Sequence, residues 1–440
     1  MAALFLPCAQ GVEELLLAEV QRIGQQQPAA ESRQHKSRPA ELEAQATRGG
    51  VWVQGDEAMA MRLNLQSRLA QRVLWPLIDA PYRDEHDLYD MARHVPWGKW
   101  LTPSHTLRVD VSAQRSPLRS LNFCALRIKD AICDTLRDST GERPSVDIRQ
   151  PDLPVALFVG PDHATLYVDT SGEPLFKRGW REFKGEAPLK ETLAAAMLAA
   201  AGWQGRSEDG PLLDPCCGAG TIAIEAAQMA CGIAPGSQRH FSFERQLPFQ
   251  PHLAAWREMK REAQAQVHAP AVAVFAGDVS FRMTDFAQRN AQLAGVQDAI
   301  EFKSADALQR LPPAAQGTML INPPYGERME AKGTGSAQSR PGYDRHAPQP
   351  RPARQQFEAD ASSSEFFSAL AAHWKSHYDQ WTAWLLSPDM KLPHALRLKE
   401  SRRVPMWNGG IECRLFRFDI TARGSPAGDA GGIVPTPHAR

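Results

Sequence analysis

No run of the 440 residues stays apolar over the roughly 18 positions that a membrane-spanning helix needs. Net charge is missing too: 50 Lys and Arg balance 50 Asp and Glu. Nucleic-acid contacts must then come from local basic patches, not from a globally cationic surface. The seven cysteines (Cys8, Cys124, Cys133, Cys216, Cys217, Cys231 and Cys413) include no C-x-x-C spacing. Their odd number and scatter exclude a disulfide framework and a zinc site and fit a reduced, cytoplasmic protein with no bound metal. Met1 to Cys8 lacks the basic start and long apolar core of a secretory leader. No self-similar period of roughly 20–50 residues recurs, which excludes a solenoid. What remains is ordinary globular composition, 43% hydrophobic and 23% charged, over a length that predicts two or three domains.

The pattern along the chain changes character three times. Residues 1–80 alternate short strands and helices. Val12, Leu15, Leu16, Glu19 and Ile23 share helical spacing behind the acidic pair Glu13-Glu14. Residues 25–45, rich in Gln, Ser and Arg, read as a loop. Residues 51–53 and 72–78 read as strands around a helix capped by Asp56. Residues 81–172 repeat the theme, with a helix near 88–92, a long helix over about 119–138, and strands at 107–111, 155–159 and 165–169. From 173 the pattern shifts. Pro188 opens an Ala/Leu-rich helix over 188–202, and residues 211–330 form strand–helix–strand units, the mark of a parallel α/β sheet. Residues 331–364 hold Pro341, Pro348, Pro350 and Pro352 among Gly, Ser, Gln and Arg, which predicts a flexible insertion. A helix at 366–374 and strands at 381–386, 402–405 and 411–418 complete a domain over 173–424. Residues 425–440 read as a disordered tail.

Four motifs carry chemistry. Leu212-Leu213-Asp214-Pro215-Cys216-Cys217-Gly218-Ala219-Gly220-Thr221 is an apolar strand, a Gly-rich turn and a helix start at Thr221. Gly218 and Gly220 let backbone approach a ligand, and the helix N-terminus offers free N–H groups, which suits a nucleotide-like cofactor. Val272 to Asp278 is a strand closed by an acid suited to ribose hydroxyls. Phe302 to Ala307 places Asp306 after a short strand, where its carboxylate can accept from an adenine amino group. Met319-Leu320-Ile321-Asn322-Pro323-Pro324-Tyr325 runs a strand into a stiff turn. There the Asn322 amide oxygen and the Pro323 carbonyl can accept both hydrogens of an exocyclic amino group, and Tyr325 offers a face for a base. Asn-Pro-Pro-Tyr alone does not separate guanine N2, adenine N6 and a protein glutamine.

Together these residues resemble the class I S-adenosylmethionine-dependent methyltransferases. The resemblance implies a Rossmann-like, doubly wound α/β sheet. It assigns Asp214, Cys217, Gly218, Gly220, Thr221, Asp278, Asp306 and Ala307 to the cofactor and Asn322, Pro323 and Tyr325 to catalysis. Asp214 and Asp278 stand 64 residues apart, whereas a bare βαβ unit needs only about 30. The excess begins Ala234-Pro235-Gly236, followed by Phe241-Ser242-Phe243. With Lys177-Arg178-Gly179-Trp180-Arg181, Ala187 to Leu193, Asn322 to Arg328 and Gly11 to Leu16, it resembles the bacterial 23S ribosomal RNA guanine-N2-methyltransferases. That family implies a ferredoxin-like piece (1–80) and a THUMP RNA-binding domain (81–172), an α+β module ahead of the catalytic domain. Ser280 stands where relatives often carry a second acid. Some relatives are fused to a second, C-terminal methyltransferase, for which residues up to 440 leave no room.

The sequence thus points to N2-methylation of a flipped-out guanine in 23S ribosomal RNA, by a monomer acting on a single-stranded or unfolded target. THUMP-type transfer RNA guanine-N2 and N6-adenine methyltransferases share the motifs, and a non-catalytic ribosome assembly factor is the rival of another class. Candidate RNA contacts are Arg115, Arg119 and Lys129 in one basic cluster, and Lys177, Arg178, Arg181 and Lys190 in a second. Trp97, Trp100 and Trp180 are either stacking platforms or core.

Overall fold

The computed structural model describes residues 2–25, 42–183, 185, 188–323 and 361–421. Two sheets organise them. The first half of the chain contributes β1 (Ala2–Pro7), α1 (Glu13–Gln25), β2 (Ala44–Thr47), β3 (Gly50–Gly55), α2 (Glu57–Gln66), β4 (Leu74–Pro81), α3 (Glu85–Arg93), β5 (Thr106–Ala113), α4 (Leu121–Thr140), β6 (Ser145–Val146), β7 (Leu153–Val159) and β8 (His163–Asp169). Its strands lie in the order β2-β3-β1-β4-β8-β7-β5-β6. The pieces expected on either side of residue 80 therefore share one continuous sheet. β4 is the seam, touching β1 at Phe5–Leu74 and pairing with β8 from Leu74–Asp169 to Pro81–His163.

Local chemistry sets the helix ends, at Asp56 as expected. Asp56 accepts from the Met59 N–H at 2.9 Å, Ser120 caps α4, and a left-handed Gly141 closes it. Cys124, Ile128, Ala131, Ile132 and Leu136 line one face of α4 and face the core. β2 departs from the expected loop. Its Ala-Gln-Ala-Thr has little strand propensity of its own, but the two-residue turn Arg48-Gly49 lays it antiparallel on β3.

The second sheet follows from α5 (Glu191–Ala201), β9 (Leu212–Asp214), α6 (Thr221–Ala230), α7 (Leu253–Ala265), β10 (Val274–Asp278), α8 (Phe281–Leu293), β11 (Ile300–Ser304), β12 (Gly317–Ile321), α9 (Ala361–His377), β13 (Trp381–Ser387), α10 (Leu392–Leu396), β14 (Arg402–Asn408) and β15 (Ile411–Asp419). The order is β11-β10-β9-β12-β13-β15-β14, parallel through β13 and antiparallel in the last two strands. α5 starts at Glu191, after Pro188 and Leu189 rather than with them. α9 starts at Ala361, inside the segment expected to be an insertion. The rest of that segment and the tail lie outside the described residues. Among the described residues, no helix is long and apolar enough to cross a membrane.

The excess chain between α6 and β10 joins the two halves. Gly236 N–H donates to the Leu65 carbonyl at 2.9 Å and Phe243 N–H to the Thr170 carbonyl at 3.0 Å. Phe243 packs against Phe249 and Trp256, with ring centroids 5.2 and 5.0 Å away, and Phe249 meets Trp75 of β4 at 6.0 Å. Trp97, Trp100 and Trp180 are all buried, which assigns them to packing. Beside this apolar seam lies a buried ion cluster. Glu225 of α6, fully buried, accepts from Arg178 Nε at 2.9 Å and from Arg68 Nη1 at 3.1 Å. The remaining guanidinium N–H groups reach the carbonyls of Leu175, Arg68 and Ile233.

Burial alone would raise the pKa of Glu225, but the Arg178 and Arg68 guanidiniums pull it below the usual glutamate range. Its stabilising contribution is therefore complete above the ordinary glutamate pKa of about 4.3 and is lost as pH falls through the lower folded value. Glu225→Ala leaves two buried cations without their anion and should cost about 3–5 kcal/mol. Urea unfolding at pH 7 measures the loss, and the gap between wild type and variant should narrow as the pH is lowered below 4.

Candidate active site

Strand order places the site. β9 is followed outward by β10 and β11, and then β12 starts on its other side. Loops leaving β9 and β12 at their carboxyl ends therefore diverge and open a crevice between them, the switch point at which open α/β sheets bind ligands. Asp214 ends β9, Asp278 ends β10, Asp306 follows β11 and Asn322 follows β12. Four sequence-predicted residues from four strands thus share one edge. Pro323 is buried just beyond Asn322. Tyr325 lies outside the described residues.

The Gly-rich turn is held from β10. Asp278 Oδ2 accepts from the Gly218 N–H at 3.0 Å, and the Cys217 N–H donates to the Gly277 carbonyl at 2.7 Å. Asp278 Oδ1 accepts from the Ser280 N–H at 2.9 Å, and Ser280 in turn caps α8. Each carboxylate oxygen keeps a further lone pair for a ligand. Ser280 thus has a structural task where relatives often place a second acid. Gly218 and Gly220 have φ of +53° and +87°, and a Cβ on Gly220 would lie 2.9 Å from that of Ala287. Thr221 then starts α6 directly after the turn, with no side chain capping its first N–H groups. Asp306 makes a tight turn by accepting from the Leu308 N–H at 2.9 Å, and Ala307 is buried beside it.

Asp214 is 1% exposed. Burial, with Asp278 nearby, pushes its carboxyl well above the usual aspartate range, against an opposing pull from the Cys216 N–H and Arg310. A cationic ligand in the crevice would repay its ionisation. Burial likewise raises the Cys216 and Cys217 thiols, which disfavours their thiolate forms.

Several supporting residues escaped the sequence reading. Asn290, fully buried on α8, donates to the carbonyls of Phe183 and Ala219 and accepts from the Phe183 N–H, tying the linker to the Gly-rich turn. Arg310 donates to the Ala276 carbonyl at 2.9 Å beneath the end of β10. Val279 and Phe281 are 71% and 78% exposed next to Asp278, an apolar margin on an otherwise polar rim.

The basic clusters divide. Arg178 is 2% exposed and bound to Glu225, so it is a structural residue and not an RNA contact. Arg181 is corrected the same way: it binds Glu191 at 2.7 Å and the Thr221 hydroxyl at 2.7 Å and lies over the Trp180 ring. Lys177 pairs with Glu173 at the surface, and Lys129 pairs with Asp130. Arg115, Arg119 and Lys190 are exposed. Arg115 and Arg119 lead into α4, where Phe123 is 43% exposed.

Three domain models match segments of the chain. Residues 38–74 match the RlmL ferredoxin-like domain, 82–169 the THUMP domain, and 178–338 the RMKL-like methyltransferase domain. The part of the sheet that carries the site, β9 to β12, lies within the residues that match the RMKL-like methyltransferase model. The chain is 34% identical over 443 residues to the ribosomal RNA large subunit methyltransferase K/L of Psychromonas ingrahamii, a match covering 99% of this chain and 52% of that one. It thus spans about half the length of that curated relative. SMU.472, solved complexed with SAH, shares the fold with a TM-score of 0.77 at 23% identity, over 96% of this chain and 99% of that one. TrmN from Thermus thermophilus follows with 0.59 at 19% identity, over 95% and 99%. The fold is a class I methyltransferase domain behind a THUMP and ferredoxin-like module.

Two stability measurements test this site. Gly220→Ala forces a side chain into a left-handed backbone against Ala287 and should cost about 1–3 kcal/mol in urea unfolding. The raised pKa of Asp214 means that the fold favours its protonated form. Stability from that form is present below about pH 4 and is lost as pH rises through the higher folded value. Asp214→Asn should therefore hold or raise the melting temperature at pH 7, and a lower one would contradict the buried-carboxyl account.

Proposed function

We propose that this chain is an S-adenosylmethionine-dependent RNA methyltransferase that modifies guanine N2 in large-subunit ribosomal RNA. The observation that carries methyl transfer is the shared edge: Asp214, Gly218, Gly220, Asp278, Asp306 and Asn322 on four neighbouring strand ends. These residues fit the cofactor. Asp278 retains lone pairs for ribose hydroxyls, Asp214 supplies buried negative charge for a cation, and Val279 offers an apolar flank for an adenine. Bound S-adenosylmethionine would supply an electrophilic methyl group on a sulfonium.

The protein's own part is positioning. The Asn322 amide oxygen and the Pro323 carbonyl accept from the exocyclic amino group and aim its nitrogen at the methyl. The base must leave its stack to get there, at a cost of a few kcal/mol. Holding both reactants in line replaces a bimolecular encounter with a local one. The proton released from the amino group passes to water. Guanine N2, large-subunit RNA and a cytoplasmic site of action are supported by the K/L relative, the THUMP domain and the motifs around Lys177–Arg181 and Asn322–Arg328. Mass spectrometry of ribosomal RNA nucleosides from a strain lacking the gene tests them together. Loss of one N2-methylguanosine is expected; loss of N6-methyladenosine or N7-methylguanosine instead would reassign the base atom.

Two substitutions separate binding from chemistry. Asp278→Ala removes a charged acceptor and the clamp on Gly218, and should weaken S-adenosylmethionine binding by roughly 1.5–3 kcal/mol in calorimetry. Asn322→Ala should leave cofactor binding intact and lower the methylation rate roughly a hundred- to thousandfold. A normal rate in that variant would end the amino-group reading.

A further inference from the structure

The turn joining β14 to β15 is remote in sequence from the motifs above, yet the sheet register returns it to them. β13 runs parallel to β12, so its carboxyl end at Ser387 lies on the edge that carries Asn322. β15 runs the other way: Arg414 pairs with Ser387, but the strand already begins at Ile411. β14 follows it out to Asn408, the partner of Ile411. The hairpin tip therefore overshoots the sheet on the active-site side.

That tip rests on the N-terminal module. Trp407 N–H donates to the Gln10 carbonyl at 3.2 Å. Gly11 has φ of +85°, and a Cβ there would overlap the Pro405 carbonyl oxygen and sit 3.4 Å from the Trp407 ring. Two backbones from opposite ends of the chain meet here with no room for a side chain between them.

Beside this contact is a pocket of about 150 Å³, walled by Gln10, Gln71, Lys190, Thr192, Trp407 and Asn408 among others. Among the described residues that line it, none is acidic. Its polar side chains are one indole, one ammonium, one hydroxyl, one thiol and three amides. Lys190 and Thr192 flank Glu191, which holds Arg181, which holds Thr221 behind Gly220. The pocket is therefore two side-chain links from the Gly-rich turn.

We propose that this pocket takes one unpaired nucleotide of the RNA substrate, a neighbour of the base presented to Asn322. The proposal rests on the RNA methyltransferase reading and adds a second recognition point to it. The base stacks on Trp407, the amides of Gln10, Gln71 and Asn408 meet its edge, and the Lys190 ammonium meets a phosphate. The volume admits one base and excludes a duplex. The Lys190 ammonium, which lies over the Phe176 ring at 5.0 Å with no acid among the residues lining the pocket, suits a phosphodiester.

Protein-free large-subunit ribosomal RNA is the probe, with filter binding over a salt series and cofactor binding by calorimetry. Trp407→Leu should weaken RNA binding about tenfold, the effect of one lost base stack, with S-adenosylmethionine affinity unchanged. Lys190→Gln should reduce the slope of log affinity against log salt by about one, a signature that a loosened hairpin would not produce. If Trp407→Leu melts early, Asn408→Asp replaces it: a carboxylate in the pocket should weaken RNA binding most at low salt. Wild-type RNA affinity and salt slope in all three variants, with an active wild type, overturn the pocket and leave the methyltransferase reading standing. A wild type that neither binds nor methylates this RNA overturns both.

Discussion

The ion cluster at Glu225 is the constraint on which the arrangement depends. α6 begins directly behind Gly220, and a little over one turn later its carboxylate is buried between two cations from outside the seven-stranded sheet. A carboxylate in that position has lost its water and needs both guanidiniums in return. Each guanidinium needs the carboxylate and a backbone carbonyl besides. Such a cluster has one good geometry, so the helix that carries the Gly-rich turn keeps one orientation relative to the N-terminal module. Arg239 adds to this by spending its donors on the carbonyls of Pro174, Lys177, Ser171 and Glu173 in the linker.

In the reading proposed above, this rigidity is what an RNA enzyme without a cationic surface needs. With zero net charge, long-range attraction contributes little. Discrimination must come from contacts that are satisfied simultaneously at fixed separations. The exposed Arg115 and Arg119, the hairpin tip and the Asn322 edge belong to three different parts of the chain. The seam between the modules makes them one surface, so an RNA that satisfies one without the others gains little.

Much of the site was legible because its signals are local. An acid or an asparagine closing an apolar strand, and glycines in a turn between strand and helix, stand next to one another in sequence. Asp214, Gly220, Asp278, Asp306 and Asn322 were found that way. What escaped was long-range. Arg178 and Arg181 looked like members of a basic patch because Glu225 is 47 residues from the first, and only burial reveals the pairing. The stretch after Ala234 read as an excess of spacing, since nothing local says that Phe243, Phe249 and Trp256 face another module. β2 was hidden for a third reason: its strand character belongs to β3 and the turn between them.

The aromatic seam also has a temporal side. Trp75 is enclosed in part by Phe249, which follows it by 174 residues. Elongation proceeds at roughly 5–20 residues per second, so the nascent first half waits on the order of ten to thirty seconds for that ring. Its own eight-stranded sheet can close before then, but the face around β4 cannot. Translation speed, as much as sequence, then sets how long that indole stays open to the wrong partner.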